Sequence, residues 1–335
     1  MNILNTPISV KKIEMKNRLV MPPMATAKSD DEGKVTEQIC EYYEEKSHGG
    51  YIGLIITEHS YVSLEGKASR GQLSIADDSV IDGLRELTSI IHDNGSKVFA
   101  QISHAGSAAS TKITGMEVIS ASAVVNEGMV GRSRELPKEM TREQIKKTIK
   151  NFADASRRVK EAGYDGVEIH SAHGYLLNQF YSPLTNKRND EYGSSTMENR
   201  LRIHKEIIQA VRAEVGEDFP IALRLGGCDY TDGGSTITDS VEAAILLEGY
   251  GIDLLDISGG LNGYIIPGQT EAGYFSDMSK KIKAKVSIPV ILTGGIVSGD
   301  AAENLLQQKK ADFIGVGRAI LKNSSWAKDV IYKNQ

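Results

Sequence analysis

The chain has 335 residues, 40% hydrophobic and 25% charged, with a net charge of −5. That balance is ordinary for a globular protein with a sizeable core, and without a long basic run nucleic acid is not an expected partner. Cys40 and Cys228 are the only cysteines, too few for a disulfide scaffold, a cysteine-ligated zinc or an iron–sulfur cluster.

The N-terminus lacks a charged-then-apolar signal layout, and no apolar stretch approaches the ~20 residues that span a bilayer. The expectation is a cytoplasmic protein with no membrane partner. An N-terminal cap over about 1–17 precedes the first predicted strand. Four segments, 48–58, 161–170, 249–258 and 308–317, share one grammar: a helix end, a short turn, then a Val/Ile/Leu run. Such runs are the signature of buried parallel strands. In chain order the predicted strands are 18–21, 54–57, 98–101, 166–169, 221–225, 253–257, 289–293 and 313–315.

Helical patterns fall between them. Leu84, Leu87 and Ile91 line one that ends near Gly95. Thr141 and Gln144 form a capping box before another, with Ile145, Ile149, Phe152 and Val159 on one face and Gly163 as the stop. Ser195 with Glu198, and Asp239 with Glu242, read as two more boxes. Eight β/α units predict an α/β fold of the (β/α)8 TIM-barrel type in one domain, 1–335; such barrels take roughly 200 to over 400 residues. A doubly wound sheet is the alternative, but no G-x-G-x-x-G follows the first strand. The long segment after the third strand, about 103–140, is expected to be a lid.

In such barrels the active site lies at the carboxyl ends of the strands. There the sequence places Pro22, Pro23, Met24 and Ala25, then Glu58 and His59, Gln101 and His104, His170 and His173, Arg224, Ser258 to Gly260, Gly294 and Gly295, and Gly317 and Arg318. The last four suit a phosphate: glycine backbone approaches an anion closely, a helix start follows Gly317, and Arg318 adds a fork of donors. His170 and His173 allow three readings. Zinc needs three or four ligands, and Asp190, Glu191, Glu58 and Asp256 are not convincingly spaced to complete a set. Packing suits two adjacent histidines poorly at a strand's carboxyl end. The reading favoured is hydrogen bonding to a substrate oxygen, with Tyr175 two residues on as a proton source.

The ordered motifs NRLVMPPM (17–24), QISHAG (101–106), IHSAHGYLLNQFYSPLTNKRNDEYG (169–193), ENRLR (198–202), ALRL (222–225), TGGI (293–296) and GVGRAIL (315–321) resemble the old yellow enzyme family along nearly the whole chain. Its MPPMAT and LIITEHSYV stretches look closest to the 2,4-dienoyl-CoA reductase / 2-enoate reductase branch. The resemblance implies non-covalent FMN at the barrel mouth and NADH or NADPH as electron donor. By position, Pro22, Pro23, Met24 and Ala25 would line the flavin and His59 would lie beside it. Gln101 and Arg224 would bond its pyrimidine side, and Gly294, Gly295, Gly317 and Arg318 would bind its phosphate. His170 and His173 match the pair that holds the substrate carbonyl, and Tyr175 matches the proton donor.

The implied reaction is ene-reduction: hydride from flavin N5 to Cβ of an enone or enoate, and a proton to Cα. A flavin-dependent amine or alcohol dehydrogenase, a metal-dependent barrel hydrolase and a non-catalytic FMN sensor are the other readings. The sequence departs from the family at Ala25, where one class has cysteine, at Ala27, where that class has tyrosine, and at Ser107, usually arginine. Thr26 would serve as the flavin-contacting threonine if the register shifts by one. The branch members continue into iron–sulfur and FAD domains, which these cysteines cannot furnish, so direct reduction by NAD(P)H or a separate electron donor is expected. The last arginine is Arg318, so an active site shared across an oligomer through a C-terminal arginine is not expected.

Overall fold

A computed structural model describes residues 2–126 and 133–332. The chain opens with a hairpin, β1 (Ile8–Val10) and β2 (Ile13–Met15). The barrel strands β3 (Leu19–Met21), β4 (Leu54–Tyr61) and β5 (Lys97–Ser103) follow. A short pair, β6 (Ile119–Ser120) and β7 (Lys138–Glu139), precedes β8 (Gly166–Ser171), β9 (Ile221–Cys228), β10 (Leu254–Gly259), β11 (Val290–Thr293) and β12 (Phe313–Gly315). The eight strands β3, β4, β5, β8, β9, β10, β11 and β12 close into one parallel barrel, in that order. The chain is therefore a (β/α)8 TIM barrel.

Two separate apolar cores follow from the period-2 alternation of side chains along a strand. One lies between the strands and the surrounding helices, where Leu84, Leu87, Ile145 and Phe152 are buried. The other fills the barrel, with Val20, Leu54, Ile56, Phe99, Ala222, Leu254, Ile291 and Phe313, and Val10 and Met15 of the hairpin close its amino-terminal end. Phe99 pairs in register with Gly166. A Cβ on Gly166 would lie 2.6 Å from the Phe99 ring, so glycine there gives the ring its space.

One step further along each strand the interior turns polar. Ala222 gives way to Arg224, Leu254 to Asp256 and Ile291 to Thr293, while Gln101, Glu168 and Ala222 share one register row. Registered residues of parallel strands point to the same face, so Gln101, Glu168, His170, Arg224 and Asp256 form a polar layer above the apolar one. Several strands run past their apolar stretch; β4, β9 and β10 end four, three and two residues later than predicted. The hydrophobic run stops where the strand begins to serve the mouth, but the hydrogen-bonded ladder continues.

Two helix starts differ from expectation. Thr196, not Ser195, caps the helix Met197–Arg200, accepting from the Asn199 N–H. Thr236, not Asp239, caps Ile237–Gly249, with Asp239 as the reciprocal partner of the box. In both places the oxygen of a neighbouring threonine competes for the same orphan N–H groups, and the path of the entering chain decides. The box of Thr141 and Gln144 opens Arg142–Glu161 as expected. Within the segment 103–140, residues 127–132 lie outside the described residues. Ser120 of that segment donates to Gln179 Oε1 at 2.8 Å, and Asn126 donates to the Gly174 carbonyl at 3.0 Å.

Candidate active site

A cavity of about 390 Å³ opens at the carboxyl ends of the strands, within the usual range for small-molecule sites. Pro22, Pro23, Met24 and Ala25 form one wall. His59, Gln101, His170, His173, Tyr175 and Arg224 line it from the second to the fifth barrel strand, and Gly294, Gly295, Gly317 and Arg318 complete the ring. The residues expected to hold flavin and substrate thus reach one cavity, whereas Glu58, His104 and Ser258 to Gly260, also expected at the mouth, do not line it. Sequence reasoning missed Tyr264, Tyr274, Thr293, Gly315, Ile296 and Leu321, which also line it. Thr293 and Gly315 are strand ends that the barrel rule could have found. Tyr264 and Tyr274 sit in a loop without a motif, where only the folded path shows which side chains turn inward.

His170 stands at the end of β8, 3% exposed. His173 lies in the following turn at φ +58°, a left-handed conformation uncommon outside glycine. Its N–H donates to the Gly259 carbonyl at 3.2 Å, and its Nε2 lies 2.7 Å from Ser258 Oγ. Asn178 Oδ1 accepts the Gly174 N–H at 2.7 Å and Gln179 Nε2 donates to the Gly174 carbonyl at 2.6 Å, so the turn is held from the helix after it. The His170 and His173 rings are 5.1 Å apart, and His170 and Tyr175 4.9 Å.

His59 joins them, 5.4 Å from the Tyr175 ring. The β4–β5 register shifts between Thr57 and Ser60, and a bulge of this kind re-aims side chains. Gln72 Oε1 accepts the Ala68 N–H at 2.7 Å, which fixes the amide. Its Nε2 then donates to His59 Nδ1 at 2.7 Å and to the His59 carbonyl at 3.1 Å. Neutral His59 therefore carries its proton on Nε2.

Glu58, from the same bulge, points away from the cavity. Its carboxylate accepts from Thr26 N–H at 3.0 Å and Thr26 Oγ1 at 2.6 Å, and burial pushes its pKa up to about 7. The threonine hydroxyl is thus directed at Glu58, and Ala25 occupies the cavity wall; no register shift brings Thr26 there. Ala27, at φ +55°, packs beside Gly71 rather than on the cavity. Gln101 Nε2 donates to Glu168 Oε1 at 2.8 Å, and Arg224 Nε lies 3.0 Å from Asp256 Oδ2.

The opposite side is shaped by glycine. Gly294 and Gly295 have φ +135° and +66°, and Cβ atoms there would sit 2.7 and 3.0 Å from the Tyr274 ring. A Cβ on Gly315 would fall 1.9 Å from Thr293 Oγ1. Bare backbone beside Arg318 fits a phosphate, and the Gln101 amide and Arg224 guanidinium, 1% and 4% exposed, fit a polar ring edge. The residues present are those a phosphorylated flavin needs. Among the described residues no group of three or more His, Cys, Asp or Glu is placed to hold a metal, and no helix is long and apolar enough to cross a membrane.

Fold and cavity define a class, the (β/α)8-barrel enzymes that work at the carboxyl end of the barrel. The comparisons sharpen it. Residues 3–334 match the NADH:flavin oxidoreductase / NADH oxidase family. The chain is 37% identical to an NADH oxidase of Thermoanaerobacter brockii over 325 residues, covering 95% of this chain and 49% of that one. It therefore spans about half the length of that relative. It is 39% identical to an NADPH dehydrogenase of Geobacillus sp. strain WCH70 over 327 residues, covering 97% and 92%. Its fold superposes on the old yellow enzyme homologue of Zymomonas mobilis with a TM-score of 0.86, at 26% identity, covering 99% and 93%. The chain belongs to the NADH:flavin oxidoreductase / NADH oxidase family, that of the old yellow enzymes. At that level it is an FMN-dependent NAD(P)H oxidoreductase.

Proposed function

We propose that the chain is an ene-reductase, reducing the C=C bond of α,β-unsaturated carbonyl compounds. The observation that carries this is the cluster of His170, His173 and Tyr175, with ring spacings of 5.1 and 4.9 Å, in one cavity with Gln101, Arg224 and the glycine cradle. Two imidazoles aimed at one oxygen withdraw charge from a conjugated carbonyl and stabilise the enolate that forms. Tyr175 gives its proton to Cα. Bound FMN supplies the hydride to Cβ. Gln101 and Arg224 would hold its pyrimidine edge, Pro22 to Ala25 and His59 its flank, and Gly294, Gly295, Gly317 and Arg318 its phosphate. NADH or NADPH would supply the electrons. A single domain and kinship with the 2,4-dienoyl-CoA reductase / 2-enoate reductase branch complete the proposal.

The test is a two-part kinetic experiment on purified protein, which is expected to be yellow. Anaerobic NAD(P)H should bleach the flavin, and cyclohexenone should restore it. A Tyr175→Phe variant should keep the first step and slow the second by ~10²-fold or more, the usual weight of a general acid. A flavin that bleaches but that no enone or enoate re-oxidises would sink the reading.

A further inference from the structure

Under the proposed flavin lies a feature that the reaction does not use. Glu168 and Asp256 are both 0% exposed, in the polar layer of the barrel interior. Arg224, from β9, lies against Asp256 of β10. Gln101 of β5 donates to Glu168 Oε1, while Glu168 Oε2 has no hydrogen-bond partner among the described residues. Above Glu168 on its own strand stands His170. Two carboxylates thus share one guanidinium in a fully buried space. A second full charge there is strongly disfavoured by desolvation, with no second cation among the described residues beside it to offset it. Asp256 lies 3.0 Å from the arginine and, raised by burial only to about 6, is the better anion of the two; Glu168 has a neutral amide on one oxygen and no hydrogen bond on the other.

We propose that Glu168 carries a proton on Oε2 in the resting protein, and is the positioning residue that sets the charge of the floor beneath the flavin through Gln101 and Arg224. Burial first, then the nearby Asp256 charge, pushes the Glu168 pKa up to about 8, which supports the geometry. The inference rests on FMN being the occupant. With Glu168 protonated, Asp256 and Arg224 cancel and the floor is neutral. It can then accept the negative charge that a flavin gains when a nicotinamide delivers a hydride, two electrons with one proton, and leaves as NAD(P)+. At alkaline pH Glu168 is ionised before reduction. The new charge above it then draws one proton from water onto Oε2, forming an O–H bond and leaving hydroxide to the buffer. Uptake there rises from one proton per two electrons toward two.

The experiment is the midpoint potential of the FMN-loaded enzyme against pH, by dye equilibration. In the wild-type protein the slope should steepen toward twice its neutral value around the titration point of Glu168. In Glu168→Gln, whose amide oxygen still accepts from Gln101 but cannot ionise, the slope should stay that of one proton. The comparison isolates Glu168 from His170, Arg224 and Asp256, which both proteins keep. Equal slopes in the two proteins overturn the proposal. Should the variant fail to fold, infrared spectra of the wild type and of Glu58→Gln decide. A protonated-carboxyl band at neutral pH that remains in Glu58→Gln and fades as pH rises supports it, and its absence there overturns it. A protein that never binds FMN would instead refute the flavin reading, and the infrared band would still report on Glu168.

Discussion

His173 holds a conformation that its residue type rarely adopts, at φ +58°. Such strain costs on the order of 1 kcal/mol or more and persists where neighbours over-determine it. Here the neighbours are the Gly259 carbonyl and Ser258 Oγ. Ser258→Ala removes the contact that orients the imidazole. A hydrogen bond is worth about 0.5–1.5 kcal/mol net, so the apparent KM for enone should rise by up to about tenfold. The rate of flavin reduction by NAD(P)H should not change; stopped-flow measurement of each half-reaction separates the two. The strand-end rule put Ser258 at the mouth, because position along a strand is legible in sequence. Its grip on His173 was not, because it joins residues 85 apart in the chain.

The helix Arg142–Glu161 shows local code obeyed. Thr141 Oγ1 accepts the Gln144 N–H at 3.2 Å, and Gln144 Oε1 accepts the Thr141 N–H at 2.8 Å. Thr141→Ala should cost about 1 kcal/mol, read as a lower urea midpoint at unchanged slope. The β5–β8 contact obeys no local code. Gly166→Ala puts a methyl 2.6 Å from the Phe99 ring in the barrel interior. Overpacking of this kind costs about 1–3 kcal/mol, and Phe99→Leu in the same chain should recover part of it; a double-mutant cycle on chemical denaturation measures the coupling. The capping box was readable because its partners are three residues apart. The glycine's reason was not, because Phe99 reaches it only through the closed barrel.

Across the whole molecule, buried titrating groups set the pH dependence of stability. Burial drives His104 and His204 down to about 4 and about 3. They stay neutral in the fold while the unfolded chain protonates below 6.5, so their contribution is lost as pH falls from there. Glu58 and Glu168 run the other way, raised to about 7 and about 8. The fold keeps protons that the unfolded chain releases above 4.5, so that contribution is full below 4.5 and is lost as pH climbs through 7 and 8. Melting curves should therefore show Glu168→Gln gaining on the wild type steadily from pH 4.5 to about 8 and level beyond it.

By itself the sequence determined the eight β/α units, the mouth at their carboxyl ends, and many of the residues that line it. Apolar runs, cap spacings and glycine positions are local signals, and the barrel rule converts order along the chain into place around a ring. Tertiary structure alone decided which way those residues face and what holds them. The bulge in β4 separates Glu58 from His59, and Gln72 fixes the proton of His59. The shared floor of Gln101, Glu168, Arg224 and Asp256 exists only when four strands lie side by side. Charge and burial depend on neighbours distant in sequence, so the state of Glu168 follows from closure of the barrel and from nothing in the stretch VEIH.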